Sequence, residues 1–457
     1  MILEHVGYYE DCLGKHILDN SCGDGAFLAE IVSCYCQRHM YAVQDAEALV
    51  NDLETFIHGI DVDEDAVHSC RANLDAVASR FGLTGVAWDI RVSNALTDTR
   101  FNNKMDFVVG NPPYVRIHNL RDLYAEVKSL NFTDKGMTDL YIAFFDIGIQ
   151  QLNSTGRLAY ITPSSYLNSI AGRRLRKYLL ESRLLMKFID FAHEQVFDAT
   201  TYSIITILDS RRSAHSVEYY TVVDAQGHCQ LEELIPYSDL FINGSLCAIP
   251  KHERDILISV SQPLIFTSSV PISVKNGFAT LADYIFVGDF SFREYTIEVV
   301  KASTGQMRRC IFPYTKTGEL RALGYTDESF SIDSQAYQHL SRYKEILSKR
   351  ALDGKTPWYG FGRSQAIRDV HTEKVAISTF VSPTNPPKVS LAPSGVGVYG
   401  GLYITGMPIE DVTAAIQSSL FLSFVKALRK YKSGGYYTFN SADLKAFLTY
   451  YRETFLT

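Results

Sequence analysis

Apolar positions follow two different periods in the first half of the chain. Short, almost continuous apolar runs fall at residues 15–19, 55–61, 90–92, 105–110, 157–161, 185–189 and 203–208. Runs of this length, bounded by turn residues, predict strands buried on both faces. Between them lie stretches with helical spacing, at residues 26–38, 63–81 and 139–152, and Asp63 is placed to cap the second. An acidic helix-and-loop insertion is predicted over residues 45–54, and 217–223 predicts one further strand. Strands separated by helices imply an α/β fold: a doubly wound, mostly parallel sheet covered on both sides. After about residue 245 the alternation stops, and aromatics, glycines and short polar turns become frequent. A boundary there predicts a first domain over residues 1–245 and a second over 246–457.

Composition narrows the class. A chain of 457 residues has room for two or three domains. It has no apolar run of about eighteen residues, so no membrane span or membrane partner is expected. Its start lacks a basic segment followed by an apolar one, so no secretory signal is expected. The eight cysteines form no C-x-x-C pair, which argues against a zinc ribbon or a disulfide framework. They suit a reducing cytoplasm, and no metal site is expected. Cys34 and Cys36 read as packing residues. A net charge of −7 argues against nucleic-acid binding, but its distribution does not. Residues 1–155 carry −12 and the remainder +5. A basic second part suits phosphate contacts while the first part handles a small molecule.

The most informative stretch is Asn111-Pro112-Pro113-Tyr114, just past the strand predicted at 105–110. Two prolines forbid both helix and ladder pairing, so the backbone is rigid and extended there. The Asn111 side-chain oxygen and the Pro112 carbonyl accept hydrogen bonds, and Tyr114 adds a flat ring. Such a set suits a planar group carrying an NH2, for example an exocyclic base amine. A proline-rich surface turn is the plain alternative. Upstream, Asp19-Asn20-Ser21-Cys22-Gly23-Asp24-Gly25-Ala26-Phe27 joins strand to helix through a glycine turn that lets a ligand approach the backbone. It is neither G-x-G-x-x-G nor a P-loop. Asp61, at the end of the next strand, is placed to accept from two ribose hydroxyls, or else to cap the following helix.

The D-x-x-C-G-x-G-x-F turn, the G-I-D-V-D strand end and the G-N-P-P-Y loop occur in this order. Together they resemble the gamma-class S-adenosylmethionine-dependent adenine-N6 DNA methyltransferases, typified by the TaqI methyltransferase. The resemblance continues through Thr138-Asp139-Leu140-Tyr141, residues 156–163 and Val196-Phe197-Asp198. It extends to Lys275-Asn276-Gly277-Phe278-Ala279-Thr280, Trp358-Tyr359-Gly360-Phe361-Gly362-Arg363 and 433–439 in the C-terminal part. It implies a Rossmann-like methyltransferase domain followed by an α+β DNA-specificity domain, with S-adenosyl-L-methionine as cofactor. Asp19, Cys22, Gly23 and Gly25 would line its methionine end, Asp61 would hold the ribose, and Asn94 with Ala95 would meet its adenine. Asn111 and Pro112 would accept from the amine of a flipped adenine, with Asn111 also bordering the cofactor, while Tyr114 and Phe197 would stack on the base. Cytosine-N4 enzymes usually carry Ser where Asn111 stands, and no Pro-Cys pair of the cytosine-C5 kind occurs. Double-stranded DNA is the implied partner, and a separate restriction endonuclease the functional one, since no nuclease motif follows the first domain. A monomer acting on cytoplasmic DNA in a prokaryote is expected.

Three departures from the family pattern bear on this. Asn20 stands where proline is common, and Asn94 replaces the usual Asp. The Y-T-P-like segment that normally precedes the first strand is not seen, so an upstream start or a reduced cofactor affinity is expected. Arg173-Arg174-x-Arg176-Lys177, Arg308-Arg309 and Lys426-x-x-Arg429-Lys430-x-Lys432 are candidate phosphate contacts or solvated faces. The competing functions are a glutamine methyltransferase acting on a release factor, an RNA adenine methyltransferase, and a DNA-binding scaffold without catalysis.

Overall fold

The computed structural model describes residues 1–43, 45–116, 127, 130–132, 139–191, 202–211, 215–224, 226–262, 270–354, 356–432 and 434–456. Phe197, Val196, Asp198, Thr138 and Ser433, named above, lie outside the described residues. The chain divides into two compact units, Met1–Lys251 and His252–Thr457.

In the first unit a short helix, α1 (Ile2–His5), precedes β1 (Ile17–Asp19), α2 (Ala26–Ala42), α3 (Ala46–Phe56) and β2 (Ile57–Asp61). Next come α4 (Glu64–Ser79), β3 (Asp89–Val92), β4 (Met105–Gly110), α5 (Leu140–Gln151) and β5 (Leu152–Pro163). The unit ends with α6 (Arg173–Ser182), β6 (Leu185–Asp190), β7 (Ser203–Asp209), β8 (Ser216–Val222) and β9 (Cys229–Pro236). The strands form one sheet in the order β3-β2-β1-β4-β5-β7-β6-β8-β9. Pairing is parallel from β3 to β5 and between β6 and β8. It is antiparallel where β7 is inserted between β5 and β6, and where β9 joins β8. The sheet is thus mixed at one end, and β9 has no counterpart in the sequence prediction. Its pattern explains why: Gln230, Leu231, Glu232, Leu234 and Pro236 are exposed, as suits an edge strand with little to bury.

Strand residues alternate between two cores. Leu18, Val108, Leu158 and Tyr160 pack on one face with α5 and α6. Ile17, Phe107, Val109, Ala159 and Ile161 pack on the other with α1 to α4. This is why the strands read as continuous apolar runs. The acidic insertion is helix α3, capped by Asp45, whose side chain accepts from the Glu47 and Ala48 N–H groups. Asp63 caps α4 in the same way. Cys34 and Cys36 are both buried, and all eight cysteines are free thiols.

The second unit is α+β. One four-stranded antiparallel sheet pairs Ser273–Asn276, Leu402–Thr405, Lys374–Ile377 and Val389–Ala392 in that order. Another four-stranded sheet contains Thr296–Lys301, Gln306–Ile311 and Val396–Tyr399. Two stretches singled out in the sequence meet here: Ala279 and Arg363 exchange backbone hydrogen bonds at 3.2 and 2.9 Å. Phe361 is fully buried, with its ring 4.7 Å from that of Phe278. These stretches therefore form the core of the unit. The basic clusters are internal only in part: Arg173, Arg174, Lys177, Arg308 and Lys432 are exposed, and Arg309, Lys426, Arg429 and Lys430 half-buried. Arg176 is buried and donates to the Tyr166, Ser169 and Gly244 carbonyls, which corrects its reading as a phosphate contact. Arg309 donates to Phe290 O, Arg429 pairs with Glu253, and Lys430 with Asp443. Among the described residues no helix is long and apolar enough to cross a membrane.

Gly25 opens α2 at a φ of 89°, and a Cβ there would lie 2.6 Å from Cys70 Sγ. Left-handed backbone plus overpacking should make Gly25→Ala cost roughly 2–4 kcal/mol. A lowered urea midpoint measures this. The Gly25→Ala/Cys70→Ala pair should lose less than the sum of its single variants, because removing Sγ relieves the clash.

Candidate active site

The chain leaves β1 towards β2 on one side and β4 towards β5 on the other. The loops after neighbouring β1 and β4 therefore diverge and leave a crevice beyond the carboxyl ends of the strands. A cleft of about 210 Å³ opens there. Its polar wall comes from Asn20, Ser21, Asp61, Ser93, Asn94 and Asn111, and its apolar wall includes Ala95, Pro113, Leu140 and Phe144. The fold thus gathers Asp61, Asn94 with Ala95, and Asn111 from three separate stretches. Leu140 and Phe144 were not foreseen. They sit four residues apart on a helix that is apolar nearly all round, so the pattern alone reads as core.

The glycine turn is held from the neighbouring strand. Asp61 Oδ2 accepts from Gly23 N–H at 2.9 Å, and its Oδ1 accepts from Asp63 N–H at 3.0 Å. Capping of α4 belongs to Asp63, so the capping alternative for Asp61 falls away. Asp61 faces the cleft with a half-exposed carboxylate whose remaining lone pairs can accept further hydrogen bonds. Cys22 turns its thiol into the core against Cys70, so only its backbone borders the turn.

Asp19 lies under the floor of the cleft and is 1% exposed. Its Oδ1 accepts from Ser21 N–H at 3.1 Å. A Cβ on Gly110 would lie 2.8 Å from that oxygen, so only glycine lets β4 pass so close. Burial pushes the Asp19 carboxyl up to about 7, against a lowering from the Ser21 bond; the nearby Asp61 charge raises it further. Beside it, Asn20 Nδ2 donates to Gln151 Oε1 at 2.8 Å and to Tyr160 Oη at 2.7 Å. Asn20 Oδ1 and Ser21 Oγ are buried with no hydrogen-bond partner among the described residues. Both residues line the cleft, so its floor has polar capacity that a polar guest can satisfy. Asn94 Oδ1 already accepts from Leu96 N–H at 3.0 Å, which folds the turn after β3.

The loop after β4 is rigid. Tyr114 Oη donates to Asn111 Oδ1 at 2.5 Å and reaches Ile161 O at 3.3 Å. Leu140 N–H donates to Val115 O at 2.8 Å, which ties the loop to the start of α5. The Tyr114 ring meets Tyr141 edge-on at 6.3 Å, and burial raises its phenol above the ordinary range. Pro112 is buried, and its neighbour Pro113 forms the cleft wall. These contacts exclude a loosely solvated proline turn. Among the described residues no cluster of ligand side chains suits a metal ion.

Comparison with known proteins fits this geometry. The family model for the Eco57I restriction-modification methylase matches residues 55–197, from the end of α3 through β2, β3, β4 and the Asn111 loop. The chain is similar to the Type II methyltransferase M.PaeR7I of Pseudomonas aeruginosa, 27% identical over 78% of this chain and 68% of that protein. It is also similar to M.BstVI of Geobacillus stearothermophilus, 26% identical over 82% and 75% respectively. Similarity to the Type II restriction enzyme and methyltransferase RM.Eco57I of Escherichia coli is 24% over 81% of this chain, which spans 46% of that protein. In fold it resembles the Type IIL restriction-modification enzyme MmeI, solved with DNA, with a TM-score of 0.63 at 15% identity over 96% of this chain and 62% of that one. The resemblance read from the motifs thus has independent support in sequence and in fold.

Because the Asp19 pKa is raised on folding, the native state holds a proton that the unfolded chain releases between the ordinary carboxyl value and about 7. The carboxyl therefore lowers stability as pH rises through that window and not below it. Asp19→Asn should stabilise the first unit at pH 8 by a few kcal/mol, on the order of 4 at most, and change little at pH 4. Urea titrations of both proteins at the two pH values measure the difference.

Proposed function

We propose that the chain is a site-specific DNA methyltransferase of a restriction-modification system. On this reading it moves a methyl group from S-adenosyl-L-methionine to the exocyclic amine of an adenine flipped out of duplex DNA. The observation that carries this reading is Asn111, whose Oδ1 is clamped by Tyr114 on the wall of the cleft that also holds Asp61 and Asn94. The names of the similar proteins, methyltransferases of restriction-modification systems, supply the DNA context.

The residues present fit the cofactor. Asp61 offers acceptors for the ribose hydroxyls, and Asn94 with Ala95 flanks the adenine. The turn at Gly23 and Gly25, with the Cys22 backbone, takes the methionine end, and Asp19 supports it from beneath the floor. The unpartnered Asn20 Oδ1 and Ser21 Oγ give this end further polar contacts. The cofactor supplies a sulfonium-activated methyl, so the protein needs no nucleophile of its own.

Asn111 Oδ1 has one lone pair engaged by Tyr114 and a second left for an amine N–H. Together with the Pro112 carbonyl it draws the amine nitrogen out of conjugation and stabilises the positive charge that develops on it. Tyr114, and Phe197 in this reading, hold the base by stacking. The rigid loop fixes the amine so that nitrogen, methyl carbon and sulfur can lie in line. In this proposal residues 1–245 carry methyl transfer and 246–457 read the target sequence. A cognate endonuclease acts as the functional partner, as the methyltransferase-only names of M.PaeR7I and M.BstVI support.

Labelled methyl from S-adenosylmethionine should appear in N6-methyladenine of unmethylated duplex DNA. Asn111→Ala should lower that rate by at least about 10²-fold, with cofactor affinity changed far less. Label in cytosine, or only in RNA or protein, would overturn the assignment of substrate.

A further inference from the structure

A second cleft, of about 500 Å³, opens at the opposite edge of the same sheet, beyond the amino ends of β1 to β4. It is lined by His16, His58, Asp89, Arg91, Arg100 and Lys104 over a floor of Phe101 and Met105. None of these takes part in the site described above. The parallel register places Ile17 beside Ile57 and His58 beside Asp89, so the three polar side chains at the strand starts form a row. His58 is buried, and its Nδ1 lies 2.7 Å from Asp89 Oδ2. Its Nε2 lies 3.0 Å from His16 Nδ1, with the two rings stacked 14° from parallel.

Chemistry orders the protons along this row. An ionised carboxylate can only accept, so His58 Nδ1 carries the proton between them. His58 Nε2 is then an acceptor, and His16 Nδ1–H donates to it. That leaves His16 Nε2, on the ring that lines the cleft, as the position where a proton can be gained. Desolvation chiefly lowers the proton affinity of His16; His58 and Lys104 add to this, while Asp106 opposes it. The charged groups around His16 are Asp106, which accepts its backbone N–H at 2.9 Å, Lys15 on that same carboxylate, and Lys104. Around His58 and the cleft stand Asp89 paired with Arg91, and Arg100 paired with Asp98. Lys104 is exposed, donates to Arg100 O at 2.7 Å and forms no ion pair among the described residues. Three cations thus converge on a cleft whose one lining carboxylate is already bound by Arg91 and His58.

We propose that this cleft is a binding site for a phosphate-type oxyanion, held by Lys104, Arg100 and Arg91, with His16 taking up a proton as the anion enters. The Lys104 ammonium and the guanidinium N–H groups of Arg91 and Arg100 that are not engaged by Asp89 and Asp98 suit a tetrahedral oxyanion. The neutral His16 Nε2 would present a lone pair to the anion, and gaining a proton converts it to a donor. Binding is therefore tighter at low pH. The buried Asp89 and His58 act as positioning residues that fix the orientation of His16.

Sulfate is the probe, because it does not titrate between pH 6 and 8. Calorimetry with the full chain should give saturable binding of one sulfate, at least about tenfold tighter at pH 6 than at pH 8. Repeating the titration in buffers of different ionisation enthalpy should show proton uptake. Lys104→Met, an exposed substitution, should weaken binding about tenfold or more. His16→Gln should abolish proton uptake, with its thermal melt in the absence of sulfate confirming the fold. No saturable sulfate binding, equal affinity in Lys104→Met, or binding without proton uptake would overturn the proposal. A second arm distinguishes the source of the phosphate. Displacement of sulfate by duplex DNA, with the same dependence on Lys104, identifies the nucleic-acid backbone as the ligand. Undisturbed sulfate in the presence of duplex identifies a free phosphate-bearing molecule.

Discussion

The carboxylate of Asp61 holds together the two turns that frame the cleft. One oxygen binds the Gly23 N–H on the turn after β1, and the other binds the Asp63 N–H at the start of α4. Hydrogen bonds to a charged acceptor are worth roughly 1.5–3 kcal/mol each, more than ordinary backbone contacts. The same side chain still faces the cleft with lone pairs to spare. A group that shapes a site and is also free to contact its guest leaves little reorganisation for the moment of binding. The wide divergence of the chain beyond β1 and β4 provides the space, and Asp61 gives that space a fixed rim.

Beneath the rim, polar groups are buried in an unusually directed way. Asp19 is sealed between its own turn and Gly110, and Asn20 reaches back to Gln151 and Tyr160. Burying these groups costs stability unless each is paired. The pairing places the start of the glycine turn against the end of β4, from which the Asn111 loop departs. The position of Asn111 relative to Asp61 is therefore set by contacts under the cleft as much as by those within it.

Much of this was legible in the sequence because its signals were local. Strands with both faces buried announce themselves as apolar runs, and Asp63 marks a helix start by its side-chain cap. Asp61 and Asn111 could be singled out because each stands at the end of a strand, and Asn94 through the family resemblance. What stayed hidden depends on contacts far apart along the chain. Leu140 and Phe144 look like core until β4 ends beside them. Arg176 looks like a phosphate contact until three carbonyls close around its guanidinium. The β7 insertion and the edge strand β9 are matters of pairing order, which periodicity does not encode. His16 and His58 are separated by 42 residues and meet only through the parallel register of β1 and β2.

In the proposed function the cleft beyond β1 and β4 is shaped for the nucleoside of a methyl donor, with Asp61 on its ribose. The most direct measurement is a crystal structure with S-adenosylhomocysteine. Both ribose hydroxyls should lie within hydrogen-bond distance of the Asp61 carboxylate, and the adenine ring beside Asn94 and Ala95. A ligand bound elsewhere, or one whose ribose turns away from Asp61, would contradict it.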